Sequence, residues 1–239
     1  MKKELINDVT LCFTMGGRPD LLELSIDSIQ GKWKFPYVIA VNDFADPACD
    51  EVFRRKFPEG ILLSDGEKRG HHGAVDWVYQ HIQTPYAFHT EDDWIFPKAV
   101  NFEAIKNFLE QEPKAVSYCL RYPADFLDEV ALEKSSRRQK NGVSYMDLSA
   151  THEEWYSYSF NPHLIKAETL KRIGALSQYK KERHISRALK KQGGFVAYAD
   201  TRLCEHIGEG MSVANPDAGR QKSALRLWLR KQFNALKRS

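Results

Sequence analysis

The sequence predicts an α/β domain built on a mostly parallel central sheet, followed by a separate amphipathic helix at the C-terminus. Short apolar runs alternate with longer amphipathic runs, polar clusters follow the apolar runs, and basic residues concentrate in the last twenty positions. Alternation of strand-like and helix-like segments favours parallel strands with helices on both faces of the sheet. We therefore assign residues 1–219 to one α/β domain and residues 220–239 to a basic amphipathic helix.

The composition is that of a folded domain whose charge is unevenly placed. The chain has 239 residues, of which 42% are hydrophobic and 12% aromatic, enough to bury a sizeable core. Its net charge is +3, but seven Lys or Arg and no acid lie in residues 220–239, which leaves 28 basic and 32 acidic residues in the body. A body with a slight negative charge does not attract polyanions, so we expect no nucleic-acid partner.

Several features predict a cytoplasmic protein. Four cysteines are scattered without a CxxC pair, and Cys12 and Cys119 lie in strand-like runs, which favours packing cysteines in a reducing compartment. The N-terminus lacks the pattern of a signal peptide. No stretch approaches the roughly 20 apolar residues that cross a bilayer. We expect a soluble protein, or one that lies peripherally on the inner face of the cell membrane.

The individual elements follow from hydrophobic periodicity and from turn residues. Strands are predicted at residues 9–14, 37–41, 61–64, 86–90, 115–120 and 195–199. Helices are predicted at residues 19–30, 49–57, 73–82, 101–111, 166–173 and 181–192. The charged segment 135–142 is predicted to be an exposed loop.

Four polar segments directly follow the first four predicted strands. They are residues 14–20, 42–46, 65–73 and 91–94. The carboxyl ends of parallel strands meet at one edge of a sheet, where loops and helix N-termini present free backbone donors to ligands. The sequence therefore predicts a ligand site at this edge.

The sharpest chemical feature is a run of three carboxylates, Glu91, Asp92 and Asp93, directly after the fourth strand. Adjacent carboxylates repel one another and cannot be buried unpaired. A divalent cation resolves that conflict, and Mg²⁺ or Mn²⁺ typically binds through one or two carboxylates together with substrate phosphates. The alternative is a solvated acidic turn, or a helix N-terminus whose dipole favours the acids.

The order of these elements, with the motif EDD after the fourth strand, resembles the GT-A glycosyltransferases, especially small bacterial enzymes related to family 2. Their hallmark is a DxD-type motif at that strand end. The resemblance covers residues from about 9 to about 210 and rests on the order of elements. It implies a single GT-A (Rossmann-like) domain that uses Mn²⁺ or Mg²⁺. It also implies transfer of a sugar from a nucleotide diphosphate sugar to an acceptor hydroxyl, in cell-surface glycan synthesis.

The resemblance also implies which residues form the metal and donor sites. The metal ligands are Glu91, Asp93 and His206, and Asp93 also acts in catalysis. The residues that contact the donor nucleotide are Thr14, Gly17, Arg18, Asp43, Lys68, Arg69, His72 and Asp92. Among these, the guanidinium of Arg18 pairs with phosphate and Asp43 reads the base. A solvent-facing arginine in a turn and an Asx-type turn are the respective alternatives.

The catalytic base implied by the resemblance is Glu182, which begins the helix at 181–192. The family pattern is an ED pair, whereas here Glu182 precedes Arg183, so an inverting outcome stays open. If Glu182 is not the base, Glu153 and Glu154 are next in line. Asp76 either contacts a ligand or stabilises a helix N-terminus. The acceptor region falls on aromatic and polar residues, namely Trp155, Tyr156, Tyr158 and Asn161.

Two other functions remain open at this point. A nucleotidyltransferase of related fold also uses metal-bridging carboxylates, and a non-catalytic module that binds nucleotide sugars keeps the same sheet. The released product distinguishes the nucleotidyltransferase, because that enzyme releases pyrophosphate. Hydrolysis of the donor in the presence of Mn²⁺ excludes the second.

The C-terminal segment 224–238 is predicted to be an amphipathic helix with Trp228 on its apolar side and basic residues on the other. This composition is typical of a helix that lies at an anionic membrane surface. Such binding suits an enzyme whose acceptor is lipid-linked. The alternatives are a helix that docks on the domain and a contact between two copies of the chain.

Overall fold

The structure is a computed structural model of the chain, and it describes residues 3–208. The strands are β1 (Glu4–Leu5), β2 (Val9–Met15), β3 (Trp33–Lys34), β4 (Tyr37–Asn42), β5 (Ile61–Leu63), β6 (Tyr86–Glu91), β7 (Trp94–Ile95), β8 (Ala115–Cys119), β9 (Ser136–Lys140), β10 (Val143–Asp147), β11 (His163–Lys166), β12 (Phe195–Ala199) and β13 (Glu205–His206). The helices are α1 (Pro19–Gln30), α2 (Pro47–Lys56), α3 (Gly70–Tyr79), α4 (Phe102–Gln111), α5 (Glu129–Glu133), α6 (Ala167–Ile173) and α7 (Glu182–Lys191).

The central sheet has nine strands in the order β5-β4-β2-β6-β11-β8-β12-β10-β9. The strands β5, β4, β2 and β6 are parallel neighbours, as predicted. In the other half, β11 and β10 run against their neighbours, and only β8 and β12 form a parallel pair. The prediction of a mostly parallel sheet therefore holds for the N-terminal half, and within residues 3–208 the complete sheet is mixed.

The segment 135–142 is mostly exposed, as predicted, but it is not a loop, because it forms the first strand and the turn of a β-hairpin. Strand β9 pairs antiparallel with β10 across Asn141 and Gly142, whose φ angles are 51° and 77°. Positive φ at both central residues defines the turn for which Asn-Gly is the preferred sequence. The side chains of β9 are mostly exposed and polar, so the strand lacks the apolar alternation that identifies strands in a sequence.

Helices cover both faces of the sheet and produce two apolar layers. Helices α1, α2 and α4 pack on one face, and α3, α6 and α7 pack on the other. Strand β2 shows the alternation that this requires, since Leu11 and Phe13 enter the first layer and Cys12 enters the second. All four cysteines are free and buried, in agreement with their predicted packing role.

Local sequence signals explain where the helices of the N-terminal half begin. Pro19 occupies the first turn of α1, where a missing N–H costs nothing. The side chain of Asp46 accepts a hydrogen bond from the Ala48 N–H at 2.9 Å and caps α2. The side chain of Asn101 accepts one from the Ala104 N–H at 3.0 Å and caps α4. These caps set the lengths of the loops that leave the strands.

The predicted C-terminal helix at 224–238 lies outside the described residues. No helix among residues 3–208 combines the length and the apolar character that a membrane crossing requires.

Two fully buried histidines lie inside the sheet. The rings of His89 and His163 stack with centroids 5.3 Å apart, and the Nδ1–H of His163 donates a hydrogen bond to the Asn161 carbonyl at 2.8 Å. Burial lowers the pKa of His163 to about 4, and it lowers the pKa of His89 well below its usual value. Both rings are therefore neutral in the folded protein above that range.

This burial predicts that acid weakens the fold. The unfolded chain binds protons on these histidines below a pH of about 6.5, whereas the folded chain does not, so stability falls as the pH drops from there. At about pH 5, His163 alone is expected to remove about 2 kcal/mol, or roughly 4–8 °C in Tm, relative to about pH 7.5. Differential scanning fluorimetry measures the shift. The variant His163→Gln should show a smaller one, and an equal Tm at both pH values would contradict the expectation.

Candidate active site

A cleft lies at the carboxyl edge of the parallel strands, where the sequence predicts the site. The strand register pairs Thr14 with Glu91 and Met15 with Asn42, so the loops after β2, β4 and β6 leave the sheet at the same level. The cleft between them has a volume of about 560 Å³. The predicted site residues that line it are Thr14, Arg18, Asp43, Lys68, Glu91, Asp92, Asp93 and His206.

Three of the predicted donor residues do not line this cleft. Gly17 has a φ of 71° and packs behind Phe44. The guanidinium of Arg69 pairs with Asp65 at 2.6 Å and lies over the Trp77 ring at 3.7 Å. The ring of His72 packs edge-on against an aromatic ring. The sequence identifies the right loops here, but the side chains of Arg69 and His72 are engaged elsewhere.

Asp43 is brought to the cleft and anchors the start of α3. Its buried carboxylate accepts hydrogen bonds from the backbone N–H groups of Arg69 at 2.5 Å and Gly70 at 2.9 Å. These bonds satisfy donors that a helix N-terminus leaves free. They also hold the neighbouring Lys68 over the Phe44 ring, 5.0 Å from its centroid, at the mouth of the cleft.

Asp76 does not line the cleft, and it does not serve the N-terminus of its own helix α3. It lies in the second turn of α3, beyond the free N-terminal donors. Its carboxylate accepts hydrogen bonds from the backbone N–H groups of Leu176 at 2.6 Å and Ser177 at 2.8 Å. It therefore ties α3 to the 3₁₀-helix Leu176–Gln178, which is a structural role.

Asp92 is a fully buried carboxylate whose charge is compensated by Arg18. It accepts a hydrogen bond from the Gly16 N–H at 2.6 Å, and Nη2 of Arg18 pairs with its other oxygen. The guanidinium expected to face phosphate is thus engaged with the acidic motif. Burial raises the pKa of Asp92 despite this partner. Asp92 and Arg18 together fix the loop that follows β2 against the end of β6.

Asp93 holds its two carboxylate oxygens in different environments. Oδ2 accepts hydrogen bonds from Nη1 of Arg18 at 2.7 Å and pairs with Nε2 of His206 at 3.0 Å. Oδ1 is buried and has no hydrogen-bond partner among the described residues. Burial alone raises the pKa of Asp93, but the contacts with His206 and Arg18 outweigh it and the net pKa is lowered. Asp93 is therefore ionised and keeps one oxygen available.

Glu91 is the least compensated carboxyl group of the motif. Its Oε2 accepts a hydrogen bond from the Trp94 indole N–H at 3.3 Å, and its Oε1 lies 3.9 Å from Nε2 of His71. Burial and repulsion from Asp93 raise the pKa of Glu91 to about 8. A positive charge placed beside Glu91 would reverse this shift and release a proton.

The donor set of the cleft fits a divalent cation that is shared with a ligand. Within residues 3–208, no three His, Cys, Asp or Glu side chains are arranged as a preformed metal site. Mg²⁺ and Mn²⁺ do not require one, because phosphate and water complete their coordination. The unpartnered Oδ1 of Asp93, with Glu91 in the same motif and His206 paired to Asp93, would offer hard oxygen and imidazole ligands to such a cation.

Gly208 lies against Asp93 so closely that no side chain fits there. A Cβ at this position would lie 2.4 Å from Oδ2 of Asp93 and 2.8 Å from Nη1 of Arg18. The short strand β13 brings it there by pairing with β7, which places His206 opposite Trp94.

Gly208→Ala is therefore expected to displace Asp93. We expect the variant to bind Mn²⁺ in the presence of a nucleoside diphosphate at least tenfold more weakly, about 1.4 kcal/mol. Electron paramagnetic resonance of free Mn²⁺ measures this. Gly31→Ala is a useful comparison, because Gly31 has a helical φ of −64° at the end of α1 and lies outside the cleft lining. Equal Mn²⁺ affinity in wild type and Gly208→Ala would contradict the geometry.

Glu182 lies at the same edge of the sheet, to one side of the cleft. Glu182 is the first residue of α7, and α7 leads back to the start of β12. Because β12 runs parallel to β8, the start of α7 lies at the carboxyl ends of these strands. Burial raises the pKa of Glu182 to about 7, while the positive charge of Arg121 opposes the rise. A carboxyl group with a pKa near the working pH can accept a proton and still be ionised half of the time.

Sequence reasoning missed Arg121 and Phe44. Arg121 lies two residues after the end of β8. Polar residues that follow a parallel strand lie at the ligand-binding edge of the sheet, and this signal could have identified Arg121. Phe44 lies within a loop already singled out, and its ring lines the cleft beside Lys68. The predicted acceptor residue Asn161 accepts a hydrogen bond from Nη1 of Arg121 at 3.0 Å.

Comparisons with known proteins identify the fold through structure. No protein-family model matches the sequence, and no curated protein sequence matches it either. The mannosyltransferase PcManGT from Pyrobaculum calidifontis, solved with GDP-Man and Mn²⁺, superimposes with a TM-score of 0.62 at 16% identity, over 84% of this chain and 56% of that one. S. aureus TarS 1–349, solved with UDP, superimposes with a TM-score of 0.54 at 9% identity, over 82% of this chain and 59% of that one.

These similarities show that the described domain has a GT-A-like glycosyltransferase fold. The chain spans less than two thirds of the length of both structures. Similarity at 16% and 9% identity establishes the fold alone, and the chemistry depends on the residues of the site.

Proposed function

We propose that this protein is a metal-dependent glycosyltransferase that moves a sugar from a nucleotide diphosphate sugar to an acceptor hydroxyl. The observation that carries the proposal is the buried, unpartnered Oδ1 of Asp93, a residue that lines a cleft at the carboxyl edge of the sheet. The structural neighbours add support, since PcManGT was solved with GDP-Man and Mn²⁺ and TarS with UDP.

The donor would lie in the cleft with its nucleotide towards β4 and its diphosphate towards the acidic motif. Asp43 and Phe44 line the β4 side, where an aromatic ring can pack on a base. Lys68 is exposed at the mouth of the cleft, where its ammonium group can pair with phosphate. Thr14 contributes a buried hydroxyl oxygen with no hydrogen-bond partner among residues 3–208.

Asp93 and His206 would hold the cation, with Glu91 beside them. Arg18 positions Asp93 through the hydrogen bond to Oδ2 and leaves Oδ1 for coordination. When bound, the cation supplies Lewis acidity that neutralises negative charge on the departing nucleoside diphosphate. This division of roles differs from the sequence prediction, in which Arg18 itself pairs with phosphate.

Glu182 would act as the general base towards the acceptor. Its raised pKa lets it take the proton of the acceptor hydroxyl as the new glycosidic bond forms. The carboxylate of the alternative Glu154 is already engaged in an ion pair with Arg187. A cell-surface glycan or a lipid-linked glycan is the acceptor that we propose.

A thermal-shift screen of nucleotide sugars and nucleoside diphosphates, with and without Mn²⁺, tests the proposal. Ligand binding raises Tm in proportion to the logarithm of ligand concentration over Kd. We expect at least one nucleotide to stabilise the protein with Mn²⁺ and to lose that effect in EDTA. No stabilisation by any UDP or GDP ligand would contradict the proposal.

The segment 224–238 is proposed to bind anionic membranes, where a lipid-linked acceptor lies. We expect the full chain to sediment with anionic vesicles at low salt and not with neutral vesicles. A chain truncated after Gly219 is expected to stay in the supernatant with both. If the full chain also stays in the supernatant, or if truncation unfolds the protein, the helix belongs to the fold and the membrane role is excluded.

A further inference from the structure

Arg121 is a cation at the edge of the active site. None of the roles assigned to the other site residues gives it a partner. It follows β8 and is partly exposed. Its one hydrogen bond to the described residues runs from Nη1 to Asn161. No carboxylate within residues 3–208 forms an ion pair with it, whereas Arg18, Arg137 and Arg202 are each paired with an acid.

Two aromatic rings lie against the Arg121 guanidinium. Its central carbon lies 4.5 Å from the centroid of the Phe126 ring and 5.4 Å from that of Trp94. Aromatic faces attract a guanidinium and restrict its rotation, but they do not use its N–H donors. Each of its nitrogens either has a hydrogen-bond partner or is in contact with solvent. The group is therefore pre-oriented and still has donors to offer.

Arg121 also lies near both chemical centres of the site. Trp94, which packs against it, donates a hydrogen bond to Glu91 of the acidic motif. The positive charge of Arg121 also acts on Glu182, the proposed base. A group bound at Arg121 would thus lie beside both the acidic motif and Glu182.

From this position we infer that Arg121 binds an anionic group of the acceptor, a phosphate or a carboxylate, and so selects acidic glycans as substrates. The inference rests on the proposed glycosyltransferase function and names its acceptor class. A planar guanidinium donates two parallel hydrogen bonds to either anion, and these bonds are charge-assisted. The anion would give Arg121 an acidic partner, as Asp92 does for Arg18, the other arginine of the site.

The experiment measures acceptor-side affinity with three probes, glucose 6-phosphate, glucuronate and glucose. The full chain is saturated with Mn²⁺ and with UDP or GDP, so that the donor cleft is filled, and Kd values are obtained by titration calorimetry. The variants are Arg121→Gln, which removes the charge, and Arg121→Lys, which keeps the charge but not the planar fork. Arg202→Gln is the control, because Arg202 is exposed and its guanidinium is already paired with Asp125.

We expect wild type and Arg202→Gln to bind one or both acidic sugars at least tenfold more tightly than glucose. Arg121→Gln should bind all three equally, and Arg121→Lys should retain part of the preference. Binding of the nucleoside diphosphate should be the same in all four proteins, which shows that each variant is folded. The phosphate and carboxylate probes also distinguish the two sources of the anion.

Equal affinities for acidic and neutral sugars in wild type would overturn the inference, and so would an unchanged preference in Arg121→Gln. Both results leave the proposed function intact, since the nucleotide still binds. Failure of UDP and GDP to bind with Mn²⁺ would overturn the proposed function and the inference together.

Discussion

Replacing Asp93 with asparagine is expected to lower turnover at least a hundredfold, on the order of 3 kcal/mol of transition-state stabilisation. The reason is that Oδ1 of Asp93 is the buried oxygen left without a protein partner, and an amide is a far weaker ligand for Mn²⁺ or Mg²⁺. The change also removes the charge that pairs with Arg18 and His206. Donor hydrolysis and transfer, each measured over a range of Mn²⁺ concentrations, provide the test.

Asp27→Asn is the matched control for Asp93→Asn. Asp27 also pairs with a cation, Lys56, but it lies half-exposed on α1 and does not line the cleft. Its replacement should leave turnover within about twofold, because an exposed ion pair contributes about 1 kcal/mol or less to stability. Normal activity in Asp93→Asn, or full activity of wild type in excess EDTA, would remove the metal role from this account.

The second large effect is expected for Glu182→Gln. Its kcat should fall on the order of a hundredfold or more, which is the usual contribution of a general base. Donor affinity should stay unchanged, because the base acts on the acceptor hydroxyl. In wild type, kcat/KM should rise with pH and level off above about 7, since Glu182 accepts a proton only when ionised and its pKa is about 7.

Glu168→Gln separates a catalytic role from a helix-dipole role. Glu168 lies in the first turn of α6, as Glu182 does in α7, but it is exposed. Both changes weaken a helix N-terminus by a similar small amount. Only Glu182→Gln should lose turnover and the pH dependence near 7. If Glu182→Gln turns over normally, Glu153 or Glu154 is the base, or the enzyme uses a retaining mechanism.

Much of the N-terminal half could be predicted because its signals are local. The strand Val9–Met15, the helix Pro19–Gln30 and the strand Tyr86–Glu91 differ from the predicted ranges by at most one residue. Apolar runs, a proline in a first turn and polar residues at strand ends determine them within a few positions. The position of the acidic motif at the carboxyl edge follows from the same pattern.

The pairing of side chains within the site could not be predicted, because it depends on contacts between distant residues. Arg18 lies 74 positions before Asp92, and only the register of β2 on β6 brings them together. Asp43 bonds to backbone groups at the start of α3, which a sequence does not reveal. The mixed half of the sheet was missed for a related reason, since strand direction depends on pairing between distant residues, such as Leu164 of β11 with Phe88 of β6.

The most direct test of the account is the identity of the nucleotide released from a sugar donor. The full chain is incubated with Mn²⁺ and each of several UDP- and GDP-sugars, and the products are separated by anion-exchange chromatography. The account predicts release of a nucleoside diphosphate from at least one donor, and loss of that release in EDTA and in Asp93→Asn. Release of pyrophosphate would instead identify a nucleotidyltransferase, and donor that binds but is never cleaved would identify a binding module, so either result would contradict the proposed function.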